Sequence, residues 1–257
     1  MKSSHRGHES SAATVSVENY LKAIFQLEDA RKERVTTKAL AVHLGISLPS
    51  VTGMLKGLAD AQLVDYQRYQ GVRLLAKGRR QALRVIRKHR LVESFLVRTL
   101  GYTWDEVHAE AELLEHAVSD ELAARIERHL DYPTHDPHGD PIPAADGTLR
   151  RSDDRTLVEV EAGETVIVRR ALEQSPQVLR YLQQQGLEPD ARVRVVERLP
   201  FDGPLKLATA RGEAVLARQL AKSVVVDAAP SSARTTRTSR STASTPPSKR
   251  KRRVHGN

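Results

Sequence analysis

Histidines and carboxylates are concentrated between residues 89 and 138 at spacings that suit a metal ion. Six of the ten histidines fall in this stretch. His89 and Glu93 are four residues apart, so a helix would place both on one face. A second group follows at steps of four, three and one along what the pattern predicts to be a single helix: His108, Glu112, Glu115 and His116. A third group lies in a proline-rich segment: His135, Asp136 and His138.

The simpler interpretation of these residues is a solvent-facing helix surface, where such pairs contribute only a few tenths of a kcal/mol. The second group does not favour this interpretation, because its carboxylates adjoin an apolar stripe. The stripe consists of Val107, Ala111, Leu114 and Val118. Carboxylates beside a buried face need a cation to balance their desolvation. Facing helices can close such cation sites.

A helix-turn-helix pattern precedes this region, in VTTKALAVHLGISLPSVTGMLKGLADAQLV. The first helix is expected to end at Gly45, and the second to bury Val51, Leu55 and Leu58. The outward face of the second helix carries small and polar residues: Ser47, Pro49, Ser50, Thr52, Gly53 and Lys56. Such a face can lie deep in the major groove of DNA.

The next segment, LVDYQRYQGVRLLAKGRR, alternates like a β-hairpin that turns around Gln70 and Gly71. Its basic side chains would meet the DNA backbone: Arg68, Arg73 and Lys77. Residues 1–80 carry 13 Lys and Arg against 7 Asp and Glu, which favours a polyanionic partner. A winged helix that binds DNA is therefore predicted, the alternative being a scaffold or protein-binding module.

Composition sets limits on the class of protein. The chain has 257 residues, enough for two or three small domains, and no cysteine, which excludes disulfides and thiolate metal sites. Aromatic residues make up only 4%, too few for a platform that stacks single-stranded nucleic acid. The apolar runs are too short for a membrane span, and the polar start lacks a secretion signal. We therefore expect a soluble, cytoplasmic protein without a membrane partner.

Composition shifts divide the chain into an α+β arrangement of three folded units with tails. We expect a disordered tail at 1–14, the winged helix at 15–78, a helical unit with a Pro-rich connector at 79–150, and a small β-barrel at 151–227. Residues 228–257 contain 8 Lys and Arg and no acidic residue, so we expect a disordered basic tail. Its KRKRR run fits a nucleic-acid arm, a nuclear address or a solvated charge run.

The order of these motifs resembles the diphtheria toxin repressor family of metal-dependent transcriptional regulators. The resemblance rests on VENYLKAIFQLE, the winged helix, RKHRLVE, VHAEAELLEHAVSDEL and DPHGDPIP, and covers about residues 15–226. It implies a winged helix-turn-helix, a helical metal-binding and dimerisation domain, and a C-terminal SH3-like domain. The family's branch with manganese as cofactor is similar, because Glu112 stands where iron-type members have a sulfur ligand, and Mn²⁺ prefers oxygen ligands. Fe²⁺ is the alternative.

The resemblance also implies two metal sites. The primary site would join the first helix to the acidic helix through Asn19, Glu112, Glu115 and His116. Asn19 departs from the Asp or Met usual at its position. The ancillary site would comprise His89, Glu93 and His108, with Asp136 and His138 of the connector and an acidic residue of the SH3-like domain, for which we suggest Glu173.

A repressor of metal-uptake genes is the function that the resemblance implies. A cation joining the first helix to the acidic helix would fix the orientation of the winged helix. A homodimer would place two recognition helices on a pseudo-palindromic operator in double-stranded DNA. The apolar sides of residues 95–102 and 117–130 are candidates for the dimer face, or alternatively for the core within one domain.

Two other functions compete with this prediction. A di-metal hydrolase would use the same residues, but the sequence lacks HExxH, GxSxG and a Gly-rich phosphate loop, so we expect no enzyme. An architectural protein that compacts DNA through its tail would bind any sequence without metal.

Overall fold

The computed structural model describes residues 5–31, 33–150 and 154–229, with side chains from Thr14 to Asp29 in the first of these ranges. The expected tail from residue 230 onward, including KRKRR, lies outside the described residues. The first helix begins at His5, so the predicted boundary at residue 15 falls inside that helix. The N-terminal unit combines helices with a hairpin, the middle unit is helical, and the C-terminal unit is an antiparallel sheet with helices. This arrangement confirms the predicted α+β class.

The N-terminal unit is a winged helix. Its elements are α1 (His5–Arg31), α2 (Thr37–Leu44), α3 (Leu48–Asp60), β1 (Val64–Gln67) and β2 (Gly71–Leu74). The Thr36 hydroxyl caps α2, Gly45 ends it at φ 66°, and the Ser47 hydroxyl caps α3. Left-handed backbone at Gly45 lets the chain bend sharply, and α2 and α3 meet at 110°.

The buried stripe predicted for α3 is confirmed. Val51 and Leu55 are fully buried and Leu58 is 2% exposed. They pack on Leu21 and Ile24 of α1, so the long first helix belongs to the winged-helix unit. The predicted hairpin is present, but its tip is Arg68–Gln70 rather than Gln70 and Gly71, because Gly71 already pairs with Gln67.

The helical domain contains α4 (Ala76–Leu100), α5 (Val107–Leu114) and α6 (Asp120–His129). The prediction of one helix through residues 108–116 is wrong, because α5 ends at Leu114. Ser119 starts a new helix: its hydroxyl accepts a hydrogen bond from Leu122 N at 3.1 Å, and two acidic residues follow in the first turn. Glu115 and His116 therefore lie in the turn between α5 and α6.

The apolar stripe on α5 is only partly as predicted. Val107, Ala111 and Val118 are buried among side chains of α4 and α6, whereas Leu114 is 41% exposed. Leu114 turns outward because the helix ends there, and the chain changes direction before Val118.

The C-terminal unit is a five-stranded antiparallel sheet with strand order β6-β5-β4-β3-β7. The strands are β3 (Thr165–Ala171), β4 (Arg192–Arg198), β5 (Leu205–Thr209), β6 (Gly212–Leu216) and β7 (Val224–Ala228). Two helices accompany it, α7 (Pro176–Gln184) and α8 (Arg218–Ala221), with a short 3-10 helix at Leu157–Glu159. The predicted start of α7 at Pro176, behind Ser175, is confirmed.

The sheet domain docks on the helical domain through the connector. Trp104, just before α5, packs in the core of the sheet domain. Arg170 Nη1 of β3 donates to Asp140 Oδ1 at 2.7 Å, and Ala171 N donates to His138 O at 3.3 Å. Gly139 allows this approach, since a Cβ there would lie 1.8 Å from Arg169 O. The docking fixes the connector residues next to α4.

Helices in the described part of the chain do not have the length and apolar character of a membrane span when each is taken singly. Among the described helices, the bent pair α2 and α3 has the length and apolar character of a span only when the two helices are taken together.

Candidate metal centre and DNA-binding surface

Two clusters of polar side chains meet at His89 on α4, which is 5% exposed. The Glu93 cluster consists of His89, Glu93, His108, Asp136 and His138. The Glu115 cluster consists of Glu18, Asn19, Lys22, Glu112, Glu115 and His116. The first joins α4, α5 and the connector, and the second joins α1 to the end of α5.

Three imidazoles surround the carboxylate of Glu93, which is 1% exposed. Glu93 Oε1 lies 2.9 Å from His89 Nε2 and 3.1 Å from His108 Nδ1. Glu93 Oε2 lies 3.7 Å from His138 Nδ1, beyond hydrogen-bond distance. The helical spacing predicted for His89 and Glu93 is thus realised, and the fold adds a histidine from α5 and another from the connector.

His138 is fully buried and is held from one side only. Its Nε2 donates to the backbone carbonyl of Trp104 at 2.6 Å. Its Nδ1 is buried without a hydrogen-bond partner and faces Glu93. A backbone carbonyl on one ring nitrogen and a free position at the other is the arrangement of a metal-ligating histidine.

Asp136 lies beside Glu93 and His138, and one ligand atom from each lies within 4.8 Å of the others. Asp136 Oδ1 accepts hydrogen bonds from the backbone N–H groups of His138 and Asp140, both at 2.9 Å. Burial, with Asp140 and Glu93 nearby, raises the pKa of Asp136 to about 7. The guanidinium of Arg90, whose Nε lies 3.5 Å from Asp136 Oδ2, already balances part of the negative charge gathered here.

Protons and carboxylates compensate one another in the Glu93 cluster. Burial lowers the pKa of His89, but Glu93 and Glu115 outweigh burial and raise the pKa to about 9. Burial is likewise outweighed at His138 by Glu93 and Asp136, which raise its pKa to about 9. Burial would raise the pKa of Glu93, but the imidazoles of His89, His108 and His138 hold it well below its usual value.

A divalent cation fits the Glu93 cluster. The donors are imidazole nitrogens and carboxylate oxygens, a set that suits Mn²⁺, Fe²⁺ and Zn²⁺. The buried Nδ1 of His138 supplies the observation independent of composition, because a hydrogen-bonding atom buried without a partner is costly.

The Glu115 cluster is organised differently, around Lys22 of α1. Lys22 is 4% exposed, and its Nζ donates to Glu112 Oε1 at 2.7 Å and to Glu115 Oε2 at 2.6 Å. The same Nζ lies 3.2 Å from His89 Nδ1. Since His89 Nδ1 donates to Glu115 Oε2 at 2.6 Å, the two carboxylates are the acceptors of the ammonium.

The remaining predicted ligands of the primary site pair with each other and with Glu18. His116 Nδ1 lies 2.6 Å from Glu18 Oε2, and His116 Nε2 lies 2.7 Å from Asn19 Oδ1. Glu115 Oε1 is buried without a hydrogen bond, 3.3 Å from His116 Nε2. The structure therefore brings Asn19, Glu115 and His116 together, and Glu112 close by, but a lysine ammonium stands between the two carboxylates. As arranged, an ammonium fills the space between Glu112 and Glu115, whereas Glu115 Oε1 keeps an open position beside His116 and Asn19.

Lys22 and Glu18 were not predicted from the sequence, although a signal was present. Lys22 interrupts the apolar run from Tyr20 to Phe25, and those five neighbours are buried in the structure. A lysine in a buried stripe needs an acidic partner. Glu18 lies four residues earlier on the same face of α1.

The structure does not bring the suggested Glu173 of the sheet domain into either cluster. Glu173 is exposed, and its Oε1 accepts from Ser175 N at 3.2 Å. The sheet domain instead directs Arg170 and Gln174 to Asp140 of the connector. His135 is exposed and contacts Thr134, so it stays apart from both clusters.

The predicted DNA-binding residues lie at the start of α3 and on the hairpin. Ser47, Pro49, Ser50 and Lys56 are exposed. Thr52 is half-buried, and its hydroxyl donates to Leu48 O at 2.9 Å. Arg68 and Arg73 are exposed, and the Arg68 guanidinium lies 4.9 Å from the ring centre of Tyr69, a residue 91% exposed at the hairpin tip. Lys77 donates to Ala61 O at 3.3 Å. These positions agree with a helix and wing that both face outward.

Three family profiles match the chain in succession. They describe the N-terminal DNA binding domain of an iron dependent repressor (residues 13–72), the metal binding and dimerisation domain of an iron dependent repressor (residues 76–144) and a FeoA domain (residues 155–228). The iron-dependent repressor IdeR of Mycobacterium tuberculosis is 33% identical over 224 residues, covering 82% of this chain and 96% of that protein. The diphtheria toxin repressor of Corynebacterium jeikeium is 30% identical over 146 residues, covering 57% of this chain and 60% of that protein.

Solved structures share the same architecture. A manganese-dependent transcriptional repressor in complex with manganese is 42% identical, with a TM-score of 0.76 over 83% of this chain and 100% of that chain. The manganese regulator SloR is 33% identical, with a TM-score of 0.68 over 83% of this chain and 98% of that chain.

Proposed function

Because the chain belongs to the diphtheria toxin repressor family of metal-dependent transcriptional regulators, we propose that it represses transcription in response to manganese. Membership confirms the family predicted from the motifs and assigns the chain to DNA-binding regulators rather than enzymes. Carboxylate oxygens and imidazole nitrogens without a sulfur ligand support Mn²⁺ as the effector. Fe²⁺ is the second candidate, since relatives 33% identical are iron-dependent repressors by name.

We place the regulatory ion in the Glu93 cluster. His89, Glu93, His108 and His138 would hold it, with Asp136 adjacent. A cation there supplies positive charge to a buried carboxylate and ties α4, α5 and the connector together. The observations that carry this assignment are the three imidazoles around the Glu93 carboxylate and the buried Nδ1 of one of them, His138, which has no hydrogen-bond partner.

His89, one of the proposed ligands, is held in place by Glu115. Its Nε2 faces Glu93 while its Nδ1 donates to Glu115. A carboxylate that accepts from the second nitrogen of a ligating histidine fixes the ring and raises its basicity. Glu115 thereby positions His89 without needing to touch the ion.

DNA recognition falls to α3 and the hairpin. We propose that Ser47, Pro49, Ser50 and Thr52 approach base edges in the major groove. Lys56, Arg68 and Arg73 would neutralise phosphates. A cytoplasmic homodimer would set two such units on a pseudo-palindromic operator near metal-uptake genes.

The two candidate dimer segments are partly absorbed by the core of the helical domain. Ala123, Ile126 and Leu130 are buried there, and Phe95 and Tyr102 pack against the same core. Exposed leucines remain on the surface of the domain: Leu100, Leu113, Leu114 and Leu122. We propose that the dimer face includes these leucines, because contact with a second copy of the chain would remove their apolar side chains from water.

A gel-shift titration of the full chain against its own upstream region tests the function. Mn²⁺, Fe²⁺ and Zn²⁺ are compared in parallel with a chelator control. We expect Mn²⁺ to raise operator affinity at least ~10-fold, a coupling within the usual range for allosteric effectors. Glu93→Gln should abolish the rise and the matched surface variant Glu173→Gln should keep it. Equal affinity with ion and with chelator would contradict the proposal.

A further inference from the structure

The carboxylates at the end of α5 already have a cation, and it belongs to the chain. The positive charge that Glu112 and Glu115 require is supplied by the ammonium of Lys22, at 2.7 Å and 2.6 Å. Glu115 has no exposed side-chain surface and Lys22 has 5%, so this pair is desolvated. Ions in such a setting hold their partners strongly, because removing one leaves the other buried and uncompensated.

We propose that Lys22 is the resident cation between Glu112 and Glu115, joining α1 to α5 at the point where a divalent ion would bridge these two carboxylates. The proposal rests on the proposed function only for the choice of Mn²⁺ as probe.

The ammonium and a divalent ion compete for the same space. Ligand atoms of His89, Glu112 and Glu115 all lie within 4.8 Å of one another, and Lys22 Nζ lies within 3.2 Å of an atom from each of these residues. A second positive charge at this point would repel the ammonium in a poorly solvated environment. An ion could enter only if Lys22 withdrew its buried side chain.

Access is not what excludes an ion. Glu112 is 40% exposed at its side chain, and with His108 and Lys22 it lines an open groove of about 850 Å³. An ion can therefore reach the carboxylates from solvent. The charge already present, rather than a closed path, decides the occupancy.

A second polar residue of α1 also contacts the Glu115 cluster. Glu18 pairs with His116, and Lys22, one helical turn later, pairs with Glu112 and Glu115. Glu18 thus meets His116 in the turn after α5, and Lys22 meets the carboxylates of Glu112 and Glu115. The core of the winged helix includes Leu21 and Ile24, which flank Lys22 in α1, so this contact holds the DNA-reading unit itself.

A bound ion would then affect the winged helix through other elements than those predicted from the sequence. The sequence predicted that an ion orients the winged helix by joining α1 to the acidic helix. With Lys22 in that position, the connection between α1 and α5 persists without metal. The ion of the Glu93 cluster then acts through α4, α5 and the connector.

Calorimetric titration of Mn²⁺ into the full chain and into Lys22→Gln tests the proposal. Glutamine keeps most of the side-chain length, removes the charge and offers an amide oxygen. We expect one Mn²⁺ per protomer in the wild type and two in Lys22→Gln. Lys222→Gln, an exposed lysine in the sheet domain, is the matched control and should bind one ion.

Two ions in the wild type would overturn the proposal, since an ion would then displace the ammonium. One ion in the wild type and one in folded Lys22→Gln would overturn it as well. If Lys22→Gln does not fold, Glu112→Gln decides with Lys22 intact: the number of bound ions stays at the wild-type value if lysine is the cation, and falls by one if Glu112 is a ligand. No ion in the wild type with one in Lys22→Gln would refute the manganese response but leave Lys22 as the resident cation.

Discussion

His89 Nδ1 lies 2.6 Å from Glu115 Oε2, and this hydrogen bond connects the two polar clusters of the helical domain. The other nitrogen of the same ring faces Glu93 at 2.9 Å. A change of charge at Glu93 is therefore felt at Glu115, and through Glu115 at Lys22 and α1. One imidazole provides a physical path between the proposed ion site and the DNA-reading unit.

Glu115 should behave as a positioning residue in metal binding. Glu115→Gln removes the carboxylate that orients His89, so Mn²⁺ affinity should fall about 10–100-fold while the number of ions stays unchanged. Calorimetry measures both quantities. Complete absence of the ion would show that Glu115 is itself a ligand.

Glu93 should be indispensable, because every imidazole of its cluster faces it. Glu93→Gln leaves too little negative charge to hold a buried divalent cation, so we expect no Mn²⁺ binding at micromolar concentrations. Trp104 is the only tryptophan, and its carbonyl accepts from His138, so its fluorescence reports on this cluster. Mn²⁺ should change the fluorescence of the wild type and of Glu173→Gln but not of Glu93→Gln. A wild-type response in Glu93→Gln would move the ion elsewhere.

The metal-free protein should lose stability as the pH rises. Glu93 with Glu115 raises the pKa of His89 to about 9, and Glu93 with Asp136 does the same for His138, against 6.5 in the unfolded chain. Between pH 6.5 and about 9 the folded state binds more protons than the unfolded state, so the free energy of unfolding falls with pH. Thermal unfolding near neutral pH and near pH 9 under chelation should show a lower Tm at the higher pH.

Two variants check the origin of this pH dependence. His138→Gln should weaken the trend, and His135→Gln, at an exposed histidine outside the cluster, should keep it. Saturating Mn²⁺ should oppose the trend, because ligation requires imidazoles without the proton. A Tm that rises with pH in the metal-free wild type would contradict the charge arrangement described for His89 and His138.

Lys56 should bind a phosphate rather than a base. Lys56→Ala should weaken binding to all sequences similarly, and the slope of log K against log salt should become shallower by about 0.9 if the lysine neutralises one phosphate. Fluorescence anisotropy with operator and unrelated DNA at several salt concentrations measures this, with Lys222→Ala as control. Weaker binding to the operator alone would instead indicate that Lys56 reads a base.

The elements that could be predicted from the sequence are those with a regular spacing of apolar residues or a local signal for the start of a helix. The stripe of Val51, Leu55 and Leu58 follows from helical periodicity, and the start of α7 follows from Ser175 and Pro176. The break after Leu114 was not predicted, because the helix-favouring residues on both sides of Ser119 conceal the cap that starts α6. A local cap outweighed a continuous propensity pattern.

The site residues, too, could be predicted only where their spacing along the chain determines their position. Spacing alone placed His89 and Glu93 on one face, and it grouped Glu112 with Glu115. It could not identify their cation, because a buried carboxylate needs positive charge regardless of whether a metal or a lysine supplies it. Lys22 is 90 residues from Glu112, a separation across which local patterns carry no information.

Anomalous X-ray diffraction at the manganese edge, on crystals of the full chain grown with Mn²⁺, tests the central claim most directly. We predict one anomalous peak per protomer, among His89, Glu93, His108 and His138, with Lys22 still bonded to Glu112 and Glu115. A peak between Glu112 and Glu115, with the Lys22 side chain turned away, would contradict the account.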